Sequence, residues 1–190
     1  MRHDAIQHGF KELGAYGGIN VIDKGLDITE SDGRKGDLLF KGLGRQGRDL
    51  VVDISIGDPS AQSYLHNSAY ISKYVADLLE ANKLRKYAAA YREAGVDFMP
   101  LTCEMLGATS DLFIKFLKKL VAFAADVNNI HYSVMFNYWQ KRLSITMQRY
   151  NAKIIHLAQK KIARVNNSVC NGDFDLTDII ANERHTHGGF

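Results

Sequence analysis

The chain has 190 residues, 46% hydrophobic and 24% charged with only two prolines, the composition of an ordinary globular protein rather than a fibrous or low-complexity one. No apolar run approaches membrane-spanning length, Met1 to Asp4 lacks the apolar core of a secretory signal, and Cys103 and Cys170 have no metal-ligand spacing. These features exclude a spanning protein and a disulfide framework, and they imply a reducing, intracellular compartment. The net charge is +3 with a pI near 8.8, and its distribution is uneven: Val127 to Asn171 holds seven Lys or Arg and no Asp or Glu.

In chain order, Ile6, Phe10 and Leu13 are spaced as on one face of a helix over residues 1–16, which the Gly17-Gly18 pair ends. Ile19 to Ile28 alternates loosely and predicts a strand or extended segment. The polar stretch Thr29 to Lys35 leads to a short strand at Asp37 to Phe40, and the glycine-rich turn Gly42 to Gly47 precedes the strand Leu50 to Ile56. Asp58-Pro59 supplies a cap and a first helical residue, so a helix is expected from there to Glu93, with a break near Asn67-Ser68 and Gly95 as its C-terminal cap. Val96 to Met105 predicts a fourth strand. Leu112, Phe116, Leu120 and Phe123 mark a helix over Leu112 to Val127, and His131 to Val165 a long basic one. The residues after Asn166 are too polar and Gly-rich to assign, and a flexible tail is expected over 167–190.

The most informative stretch is Leu50 to Ile56, apolar or small at every position but one and stopped by Gly57-Asp58-Pro59, the pattern of a strand buried on both faces. Its exception is Asp53. A carboxylate in such a strand is costly unless a hydrogen-bond network, a cation or a metal compensates it. If the glycine turn joins two antiparallel strands, Asp37 and Asp53 share a face, and two adjacent carboxylates suit a divalent ion such as Mg²⁺. The plainer alternative has Asp37 capping a strand and Asp53 meeting an amide or an arginine. Lys83, Lys86 and Tyr87 lie on one side of the following helix. There an amine can steady developing negative charge, or simply belong to a solvated basic face. Gly42-Leu43-Gly44-Arg45-Gln46-Gly47 matches G-x-G-x-x-G literally, but it opens a strand rather than a helix, so a hairpin turn is expected and not a nucleotide site.

Taken together, Lys35-Gly36-Asp37, Asp53-Ile54-Ser55 and Lys83-x-x-Lys86-Tyr87 resemble the restriction-like nucleases of the PD-(D/E)XK superfamily. The segment from Arg2 to Glu104 is most similar to the endonuclease domain that follows reverse transcriptase in site-specific non-LTR retrotransposons. The resemblance implies an α/β restriction-endonuclease-like core of order αβββαβ, with a mixed four-stranded sheet over residues 1–107. It implies metal-dependent cleavage of DNA with Asp37, Asp53 and Ile54 around Mg²⁺ (Mn²⁺ as an alternative), and Lys83 or Lys86 as the catalytic amine. Gly36 stands where the family has proline. Ser55 stands where the usual motif has its lysine, and in the retrotransposon branch that amine comes from the next helix. Glu104, at the end of the fourth strand, is a further acidic candidate. His3 and His8 on the first helix suit phosphate contact or helix packing, while His185 and His187 fall in the tail.

Beyond the core, residues 108–166 form the expected helical extension. On its long helix Trp139, Leu143, Met147, Tyr150, Ile154 and Leu157 define a packing stripe, with Arg142, Arg149, Lys153, Lys160 and Arg164 parallel to it. A row of cations without intervening acids can follow a phosphate backbone, so double-stranded DNA or RNA is the expected partner, with no membrane. The same row also suits a solubilising helix face. The functional expectation is a nuclease that nicks target DNA, nuclear if the element is eukaryotic. The rival is a catalytically inactive restriction-like fold kept as a DNA- or RNA-binding module.

Overall fold

The structure is a computed structural model that describes residues 2–23 and 36–170, with side chains to residue 165. The elements run α1 (Arg2–Tyr16), β1 (Val21–Asp23), β2 (Leu38–Phe40), β3 (Leu50–Gly57), α2 (Gln62–Ser68), α3 (Tyr74–Glu93), β4 (Asp97–Glu104), α4 (Asp111–Asn128) and α5 (Tyr132–Cys170). The protein is therefore α/β, with four strands in the order β1-β2-β3-β4. β1 and β2 pair antiparallel, as do β2 and β3, whereas β3 and β4 are parallel. The sheet is mixed, as expected.

Strand β3, like its neighbour β2, lies inside the sheet and is covered on both faces. Leu50, Val52 and Ile54 join Leu38 and Phe40 of β2 in the larger core, with Ile6, Phe10 and Leu13 of α1, Phe113, Phe116 and Leu120 of α4, and Trp139, Leu143 and Met147 of α5. Residues of the opposite parity face α3: Leu39 and Val51 pack with Tyr91, against Tyr87, Val96 and Phe98. Burying this second face beneath α3 brings the lysines of that helix over the parity of Asp53.

Several boundaries differ from the sequence reading. Asp58 does not cap a helix: its carboxylate accepts the Ser60 N–H at 2.8 Å and the Ser60 hydroxyl at 2.6 Å in a turn, and helix begins only at Gln62. The expected break is a full interruption from Ala69 to Lys73, which takes the left-handed conformation at φ 61°. The polar stretch Thr29 to Lys35 and the later part of the loose strand from Ile19 lie outside the described residues. Helix α5 continues to Cys170, beyond its expected end, and the rest of the expected tail is also outside them. Compactness divides the chain within α5, into Met1–Asn151 and Ala152–Phe190. The reason is that α4 and the first half of α5 share the larger core with the sheet.

Candidate active site

The site is assembled on β3 from three sides. The Asp37 N–H donates to the Val52 carbonyl at 2.9 Å, and its Oδ2 accepts the Ile54 N–H at 2.6 Å. Main chain and carboxylate of Asp37 thus bracket Asp53. From α3, the Lys83 ammonium donates to Asp53 Oδ2. From α1, His3 Nε2 meets Asp37 Oδ2 at 2.9 Å, and one turn along that helix Gln7 Nε2 donates to the Asp37 carbonyl at 3.1 Å.

The electrostatics follow from burial. The Asp53 carboxyl is held above the usual aspartate range chiefly by desolvation, with the neighbouring Asp37 adding to the rise and Lys83 partly offsetting it. His3 is raised above the ordinary imidazole value, mainly by its hydrogen bond to Asp37, against an opposing effect of burial. The side chains of Asp37, Asp53 and Lys83 are 18%, 17% and 23% exposed, so water reaches the cluster without flooding it. Two cavities, of about 370 and 660 Å³, lie elsewhere, and neither is lined by these three residues.

Of the two candidate amines, only Lys83 reaches Asp53. Lys86 Nζ lies 5.0 Å from the centre of the Tyr87 ring. Ser55 shares the face of Asp53 by strand parity and carries no charge. Ile54 contributes its N–H, donated to Asp37. Gly36 is closely packed: a Cβ there would come within 2.2 Å of Val51 Cγ1 and 3.5 Å of the Tyr91 hydroxyl. The proline of the resembled family does not fit this position without a shift of the buried Val51. Lys35 lies outside the described residues.

No protein-family model and no curated protein sequence matches this chain.

Glu104 is not part of this cluster. It is buried, and its Oε1 accepts the N–H groups of Val75 at 3.0 Å and Ala76 at 3.4 Å, serving free donors in the first turn of α3. Arg142 is engaged within the protein. Its guanidinium pairs with Glu12 of α1 and stacks 4.7 Å from the Trp139 ring, joining two helices. Arg149 is exposed, and so are Lys153, Lys160 and Arg164 in the second unit. His8 meets Glu12 at 3.7 Å along its own helix.

The residue whose place the sequence did not reveal is His3. Its signal was the His3/Gln7 pair, four residues apart beside the apolar face of α1. Such a pair reads as surface until the start of β2 is known to lie against it. Among the described residues no group of three or more His, Cys, Asp and Glu is arranged to hold a metal ion. A site of two carboxylates nevertheless fits a hard cation that completes its shell with water and phosphate oxygens, as Mg²⁺ does. The Asp53 carboxyl is met by the Lys83 ammonium.

Proposed function

We propose that the chain is a metal-dependent endonuclease that hydrolyses a DNA phosphodiester bond, of the retroelement type that nicks target DNA. The observation that carries this reading is the meeting of Asp37, Asp53 and Lys83 at one partly exposed point of the sheet. In this reading Asp37 and Asp53 hold Mg²⁺ or Mn²⁺, which when bound supplies Lewis acidity at the scissile phosphate and lowers the pKa of the attacking water. Lys83 leaves Asp53 for the phosphate and stabilises negative charge on its oxygens as it builds. The partial burial of the cluster strengthens that interaction, because fewer waters compete for the charge. The exposed Arg149, Lys153, Lys160 and Arg164 supply contacts to a phosphate backbone.

A second reading is favoured by Ser55 at the usual lysine position and by the two-carboxylate site: a restriction-like fold that binds DNA or RNA without cutting. Supercoiled plasmid incubated with the full chain and Mg²⁺ or Mn²⁺ separates the two. The nuclease reading expects nicked circles that disappear with Asp53→Ala. Salt-sensitive plasmid binding without nicking, in wild type and variant alike, would leave the binding module as the function.

A further inference from the structure

We propose that His3 is a positioning residue of this site, fixing the orientation of the Asp37 carboxylate that the cation meets. The inference rests on the metal-dependent reading above and adds to it a residue from α1.

Two donors from different elements converge on one oxygen. The imidazole Nε2 of His3 lies 2.9 Å from Asp37 Oδ2, and the Ile54 N–H lies 2.6 Å from that same atom. A carboxylate has about four lone-pair directions on its two oxygens, and both of these donors fall on Oδ2, while the Asp53 carboxyl is a further side-chain neighbour of Asp37. The terminal torsion of an aspartate is broad and two-fold, so an unrestrained carboxylate would present either oxygen in many orientations. A donor on β3 and another on α1 leave it one. Gln7, bonded at 3.1 Å to the Asp37 carbonyl, holds the main chain of that residue from the same face of the helix. The parallel with Asp53 is close, since Lys83 likewise acts on its Oδ2 atom.

His3 is not needed for packing. It is 38% exposed, in the first turn of α1, while the burial of that helix is carried by Ile6, Phe10 and Leu13. Nor is it offered as a ligand, since Nε2 is engaged with Asp37 and Nδ1 lies 3.4 Å from Asp4 Oδ1. Its effect is that of an outer residue orienting an inner one, an arrangement whose loss lowers metal affinity roughly 10–100-fold.

The test is a Mn²⁺ titration of the full chain, following free Mn²⁺ by electron paramagnetic resonance, with circular dichroism and thermal melting to establish folding. His3→Ala and His3→Asn, whose shorter amide does not reach Oδ2, are expected to weaken Mn²⁺ binding by about 10–100-fold with melting temperatures close to wild type. His3→Gln places an amide N–H near the position of Nε2 and is expected to restore most of the affinity. Wild-type affinity in folded His3→Ala or His3→Asn would overturn the inference, and so would a folded His3→Gln as weak as the alanine variant. If the wild type itself takes up no Mn²⁺, the metal-dependent reading fails first and the role of His3 falls with it.

Discussion

Lys83 closes on Asp53 from the far side of β3, while Lys86, one helical step further on, is turned to the ring of Tyr87. A lysine amine carries its charge on a long flexible stem, so which of two neighbouring lysines serves a carboxylate depends on where the helix is rotated. Here the rotation of α3 is set by packing Tyr87 and Tyr91 onto Phe98, with Tyr91 stacked at 4.8 Å and Tyr87 edge-on at 5.8 Å. The aromatic contacts therefore select the amine.

That selection yields the first prediction. If nicking is observed, Lys83→Ala should lower its rate by about 10²–10³, the usual loss when a single donor to developing charge is removed. Lys86→Ala should leave the rate nearly unchanged. Single-turnover nicking of labelled plasmid at saturating Mg²⁺ reads both, and equal losses from the two variants would remove Lys83 from the site.

The second prediction concerns pH. The pKa of His3 is raised in the folded chain by Asp37, so its contribution to stability is fully present below the unfolded value of about 6.5 and is lost as pH rises through the folded one. Metal-free NMR titration of the His3 ring should give a midpoint above about 6.5. Asp37→Asn should move that midpoint down. A wild-type midpoint at or below the ordinary imidazole value would show that the hydrogen bond does not form in solution.

The third prediction separates Glu104 from the chemistry. Its buried carboxylate serves the N–H groups of Val75 and Ala76, and the nearby Thr102 hydroxyl donates to the Ala76 carbonyl at 2.8 Å. Removing the acceptor from buried donors costs about 1–3 kcal/mol. Glu104→Ala should shift the urea midpoint accordingly at constant slope, and Glu104→Gln, which keeps an acceptor oxygen, should shift it less. Metal binding should follow folding in both variants. A stable Glu104→Ala with lost metal affinity would return this residue to the site.

The fourth prediction follows from burial alone. The Cys103 thiol is pushed up to about 12, chiefly by desolvation, so almost none is thiolate at pH 8, and the thiolate is the reactive form. Alkylation mapped by mass spectrometry should leave Cys103 unmodified in the native chain and label it in denaturant. Native labelling at a rate near that of a free thiol would mean that β4 opens readily at this position.

Local pattern made much of the architecture legible. An uninterrupted apolar run bounded by glycine and proline is a covered strand wherever it occurs, and β3 lies where its composition put it, over Leu50–Gly57. Helices α4 and α5 follow from the period of their apolar residues, and the antiparallel turn between β2 and β3 from its glycines. The interruption between α2 and α3 was legible only as a weakness, because what ends α2 and restarts the chain is a left-handed Lys73 and the acceptor Glu104, 29 residues from the Val75 it serves.

By itself, then, the sequence determined the α/β class, the position of Asp53 in a covered strand, and the presence of lysines on the helix that follows, since each is fixed by the pattern of one element. Tertiary structure alone decided that Lys83 and not Lys86 meets Asp53, that His3 joins Asp37 across 34 residues, that Glu104 serves a helix end, and that Arg142 is bound to Glu12. Those are contacts between elements, and they depend on how each helix is turned against the sheet. Side-chain volumes in the two cores set those turns, and no local spacing along the chain records them.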